Sequence, residues 1–116
     1  MPMAQKLESV VQGTLNMLIL KTLALEPMPG YGVGLLIEQI SKGVFQVNAG
    51  SLFPAFRRLE RQGWILGEWR ATENNRSARY YMLTNAGRRK LKSEAREWQT
   101  QGAAIGRILE ATSGEV

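Results

Sequence analysis

Apolar residues recur at helical spacing as far as Gly63, shift to a strand-like pattern between Trp64 and Leu83, and return to helical spacing after Thr84. That double change of period limits the chain to helices, one small β element and a further helix. In the first part, Leu15, Leu18, Ile19 and Leu23 follow Thr14, which reads as an N-cap, and Pro27 stops the run. A polar segment from Ala4 to Gln12 precedes it, a short separate amphipathic helix at best. Met28-Pro29-Gly30 reads as a turn, and a second helix is expected from about Tyr31 to Ser41, burying Val33, Leu36, Ile37 and Ile40.

A third helix, capped by Asn48 or Ser51, should end at Gly63 with Leu52, Phe56 and Leu59 inward and Phe53, Arg57 and Arg58 outward. Pro54 is cheap only in a first turn, so this helix is expected to begin at Ser51 or to kink near its start. Trp64–Arg70 and Arg79–Leu83 read as two strands, with the polar run Thr72–Ser77 between them as a hairpin turn. Thr84 then caps a long helix to about Glu110. The fold class is mainly α with a small β-hairpin, arranged as a winged helix-turn-helix followed by a long C-terminal dimerisation helix. Residues 1–83 are expected to form the winged helix-turn-helix with its N-terminal helical arm, and residues 84–116 the dimerisation helix of one compact unit.

Composition narrows the function. The 116 residues contain no Cys, His or Asp. Zinc sites of the usual kind, disulfides and Ser-His or Cys-His nucleophiles are therefore excluded, and neither an enzyme, a metal nor a cofactor is expected. Without a secretory signal or a membrane span, the chain reads as cytoplasmic. The formal charge is +5, but Arg57 to Lys92 holds ten basic residues against three glutamates, +7, leaving −2 for the remainder. Such clustering is the footprint of a phosphate-binding face. A short third helix suits the major groove, and Arg76 with Asn74 and Asn75 marks the hairpin tip as a wing. Double-stranded DNA is the expected partner. The alternative is a winged-helix protein-interaction module without specific DNA binding.

The ordered set Gly13-Thr14-Leu15, Leu18-Ile19-Leu20, Gly30-Tyr31-Gly32, Gly50-Ser51-Leu52-Phe53-Pro54, Arg58-Leu59-Glu60, Gly63, Arg79-Tyr80-Tyr81, Leu83-Thr84 and Gly87 resembles the PadR family of bacterial transcriptional regulators. It is most similar to the short-tailed subgroup with a single C-terminal helix. The resemblance implies a dimeric repressor that releases a palindromic operator when a small-molecule effector binds. It also implies that Ser51, Phe53, Pro54, Arg57 and Arg58 lie on the recognition helix, joined by Asn48 at its start, and that Asn75, Arg76 and Arg79 lie on the wing. The family usually has Tyr where this chain has Phe53.

In the last helix, Leu91, Ala95, Trp98, Gly102, Ile105 and Leu109 follow alternating four- and three-residue steps, a heptad seam expected to pair in a homodimer. Leu7, Val10 and Val11 of the N-terminal segment are expected to help cover it. The small Ala95 and Gly102 leave space beside Trp98, a candidate wall for a flat aromatic effector.

Overall fold

A computed structural model describes residues 2–115, with side chains described for residues 13–114. Four helices, α1 (Pro2–Leu25), α2 (Gly30–Ile40), α3 (Ala49–Arg61) and α4 (Asn85–Glu110), frame a small sheet of β1 (Met28–Pro29), β2 (Ile65–Ala71) and β3 (Ser77–Leu83). A short 3₁₀ turn, Ser113–Glu115, follows. The predominantly helical winged helix-turn-helix expected from the sequence is the architecture found.

Three local expectations are corrected. First, α1 is one continuous helix through Gly13 and Thr14, so Thr14 caps nothing. Extending a nucleated helix costs little, and a single glycine (about 1 kcal/mol against alanine) is too weak to break it. Leu7, Val10 and Val11 lie on this helix, but their side chains fall outside the described residues.

Second, Met28 and Pro29 form a third strand, paired antiparallel to Tyr81 and Tyr80. β3 would otherwise present a bare outer edge. Third, α3 begins at Ala49, where the Asn48 carboxamide oxygen accepts from the Ser51 N–H at 3.0 Å. Pro54 therefore sits inside the helix. The carbonyl it deprives of a donor belongs to Gly50 in the exposed first turn, where water can replace that donor.

The core gathers Leu15, Ile19, Leu20 and Leu23 of α1, Val33 and Ile37 of α2, and Leu52, Ala55, Phe56 and Leu59 of α3, closed by Met28, Ile65 and Tyr81. Phe56 stacks on Tyr81 with ring centroids 4.3 Å apart. Leu36 is only partly covered, and Ile40, expected inside, is exposed because α2 ends there, past the reach of its neighbours.

The passage from sheet to α4 is a compact joint. The Thr84 hydroxyl donates to the Gly63 carbonyl at 2.7 Å and accepts from the Gly87 N–H at 2.9 Å, while the Thr84 N–H donates to the Trp64 carbonyl at 3.1 Å. Gly87 is buried so closely that a Cβ would fall on the Trp64 carbonyl oxygen, with the Leu83 side chain 2.7 Å away. Gly87→Ala is therefore expected to cost about 2–3 kcal/mol by overpacking. Thr84→Ala should cost about 1–2 kcal/mol through the lost cap. Urea unfolding checks both, and a Gly87→Ala change under about 0.5 kcal/mol would contradict the close approach.

Candidate nucleic-acid interface

On α3, the periodicity that sends Leu52, Ala55, Phe56 and Leu59 into the core turns Phe53, Arg57 and Arg61 outward at four-residue steps. Ser51 is exposed at the helix entrance, and Pro54 is half-buried. The helix flanks the hairpin across a groove of about 700 Å³ lined by Phe53, Arg57, Glu60, Arg61, Trp69, Arg79 and Tyr81.

The sheet's register builds the opposite wall. Ile65, Gly67 and Trp69 alternate onto one face, across from Leu83, Tyr81 and Arg79. The Arg79 guanidinium lies over this face, its central carbon 5.7 Å from the Trp69 ring centroid and 5.9 Å from that of Tyr81. Gly67 makes the room: a Cβ there would come within 2.8 Å of the guanidinium. Arg79 then reaches α3, donating to a Glu60 carboxylate oxygen at 2.9 Å. This hydrogen bond raises the arginine's pKa, against desolvation. Burial, with added repulsion from Glu60, pushes the Tyr81 phenol above its ordinary value.

The expected DNA-contacting residues fall into two groups. Phe53 and Arg57 share the outward face of α3, Ser51 is exposed at its entrance, and Asn75 and Arg76 stand at the hairpin tip. The tip is closed by the Thr72 N–H and hydroxyl, both donating to the Arg76 carbonyl, and by Asn75 at φ 57°. The others are engaged within the fold. Asn48 caps α3, and Arg79 is held by Glu60. Arg58, a hundred degrees or so around the helix from Arg57, turns to α1 and donates to the Asn16 carboxamide at 3.5 Å.

Arg70 and Lys90 are also engaged. Arg70 pairs with Glu68 and covers the Tyr80 ring, and Lys90 pairs with Glu94 beside Trp64. Among the described residues, Arg57, Arg61 and Arg76 have no carboxylate within ion-pair distance, and neither do Arg88, Arg89, Arg96 and Arg107 of α4. Arg61 was legible as the next step of the Phe53–Arg57 stripe. Trp69 became visible only with the strand register.

On α4, Leu91 packs against the core, whereas Trp98, Ile105, Ile108 and Leu109 are exposed. Trp98 borders a second groove, about 620 Å³, between α4 and the α1 residues Gly13, Thr14 and Met17. A Cβ on Gly102 would meet the Trp98 ring at an ordinary 3.6 Å, so the indole does not require glycine there. Among the described residues, no helix is long and apolar enough to cross a membrane, and no cluster of potential ligands could hold a metal ion.

A helix-turn-helix with a hairpin beside its third helix and unpaired arginines on both defines a winged-helix DNA-binding protein. The chain belongs to the transcriptional regulator PadR-like family, whose model matches residues 19–93. A PadR family transcriptional regulator from Eggerthella lenta DSM 2243 is 30 % identical. Its crystal structure has a TM-score of 0.75, covering 95 % of this chain and 94 % of that one. A transcriptional regulator from Clostridium thermocellum, Cth-833, shares the fold with a TM-score of 0.80 at 24 % identity, over 88 % of this chain and 99 % of that one. The transcriptional regulator Rv3488 of Mycobacterium tuberculosis is 34 % identical over 61 residues, 53 % of this chain and 56 % of that protein.

The Glu60–Arg79 pair joins α3 and the hairpin, with both side chains about a third exposed or less. A double-mutant cycle of Glu60→Gln and Arg79→Met, read by urea unfolding, is expected to give a coupling of about 0.5–1 kcal/mol. Strict additivity would show that the pair does not tie the two elements together.

Proposed function

We propose that this protein is a homodimeric, sequence-specific regulator of transcription that binds a palindromic operator in double-stranded DNA and works in the cytoplasm as a repressor. The observation that carries this reading is the placing of α3 beside the hairpin across one groove, with Arg57 and Arg61 exposed on the outer face of α3, Arg76 exposed at the hairpin tip, and none of the three in an ion pair among the described residues. In the proposed complex, α3 enters the major groove, Arg57 and Arg61 take phosphates at its edge, and the tip touches the neighbouring backbone. Arg79 acts indirectly by holding hairpin and helix together, and Arg58 braces α3 against α1.

The exposed stripe of α4 supports pairing of two chains about a two-fold axis, which sets two recognition helices about 34 Å apart. The groove beside Trp98 supports an effector that is small, flat and aromatic, whose binding changes the pairing and releases the operator.

Anisotropy titration on a duplex from the protein's own upstream region, against a scrambled duplex at one salt concentration, tests the central claim. A gap of about a thousandfold is expected for specific recognition. Equal weak binding to both would replace specific reading of that site with a purely electrostatic contact. Arg76→Gln should reduce the slope of log K against log salt by about 0.9, one phosphate contact, while lowering affinity for both duplexes alike. Ile105→Glu with Leu109→Glu should yield a monomer in sedimentation analysis, with the winged helix still folded by circular dichroism. A dimer surviving both changes would remove the seam from the interface.

A further inference from the structure

Phe53 is a ridge between two hollows. On one side lies the groove shared with the hairpin; on the other, a hollow of about 290 Å³ is shared with Tyr31, Leu35 and Glu38 of α2. The Phe53 ring is 53 % exposed and meets the core only edge-on, its centroid 6.4 Å from that of Phe56 with the planes at 74°. Leu52, Ala55, Phe56 and Leu59 already fill the inner face of α3. The core therefore leaves a large apolar group in water at the centre of the proposed DNA face.

We propose that Phe53 reads thymine, its ring packing against the C5-methyl group of one thymine in each operator half-site. The proposal rests on the DNA-binding reading above and adds what that face recognises. A phenyl ring has no hydrogen-bonding group, and among the features displayed in the major groove only the thymine methyl is apolar. The ring also lies in the first half of α3, the part of a recognition helix that meets base edges. Arg57, one turn further along the same face, is placed for a phosphate or a guanine. The Glu38 carboxylate borders the smaller hollow and disfavours phosphate there, so the DNA backbone runs on the Arg57 side of the ridge.

The test begins by selecting a duplex from a random pool with the wild-type protein. Each thymine is then replaced in turn by deoxyuridine, which removes the methyl and keeps every hydrogen-bonding group. One position per half-site is expected to weaken wild-type binding about fourfold, and about fifteenfold when both half-sites are changed. Phe53→Ala, checked for an unchanged melting temperature, should bind the parent duplex more weakly and show no deoxyuridine penalty at that position. If no replacement matters although one duplex is bound specifically, the proposal falls while the DNA-binding reading stands. An undiminished penalty in Phe53→Ala would assign the methyl to another residue. Failure to enrich any duplex would overturn the reading and the proposal together.

Discussion

The stack of Phe56 on Tyr81 is the contact on which the arrangement turns. Phe56 belongs to the third helix and Tyr81 to the central strand, which pairs with Met28–Pro29 on one edge and with Ile65–Ala71 on the other. One ring contact thus fixes α3 against the strand that pairs with both others. Such a pair contributes about 0.5–1.5 kcal/mol beyond the area it buries. Its larger consequence is geometric. With Phe56 inward, helical periodicity leaves Phe53, Arg57 and Arg61 facing out, and strand alternation brings Arg79 and Trp69 to the same side as Tyr81.

Charge count alone is a poor guide to the DNA face, because much of the basic segment is occupied by the fold. Arg79, Arg70 and Lys90 each combine a carboxylate with an aromatic ring, and Arg58 bonds across to α1. A guanidinium held this way has little freedom to follow a phosphate backbone. Among the described residues, arginines without a carboxylate partner stand on the outer face of α3 and at the hairpin tip, and also along α4 as Arg88, Arg89, Arg96 and Arg107, so it is their position on the helix and hairpin flanking the groove rather than their lack of pairing that sets the first group apart. Gly67 belongs to the same design: a side chain there would displace the Arg79 guanidinium from its place beside Trp69 and Tyr81.

Helix periods, the Thr84 cap and the hairpin turn were legible in the sequence because each depends on neighbours a few residues away. What was not legible depends on distant partners. Nothing local in Met28-Pro29 signals a strand; it becomes one because β3 offers an edge. Thr14 has the chemistry of a cap, yet the chain before it continues the helix, and a cap needs the helix to start there. Asn48 was readable as a cap of α3 from its neighbours alone, whereas the bond from Arg58 to Asn16 joins residues 42 positions apart and shows only in three dimensions. Arg61 was within reach of the same spacing argument that picked out Phe53 and Arg57.

The long last helix extends about 39 Å over its twenty-six residues, further than the rest of the domain covers it. The domain covers the helix near Leu91 and leaves Trp98, Ile105, Ile108 and Leu109 in water, the last two more than 70 % exposed. Apolar side chains repeated along a helix at this exposure call for a partner surface. At its other end the same helix is anchored through Thr84 and Gly87 to the backbone at the base of the hairpin. Under the dimeric reading, the angle at which two such helices cross is therefore passed without slack to the hairpin and recognition helix of each chain. The spacing of the two DNA-facing surfaces is then a property of the pairing.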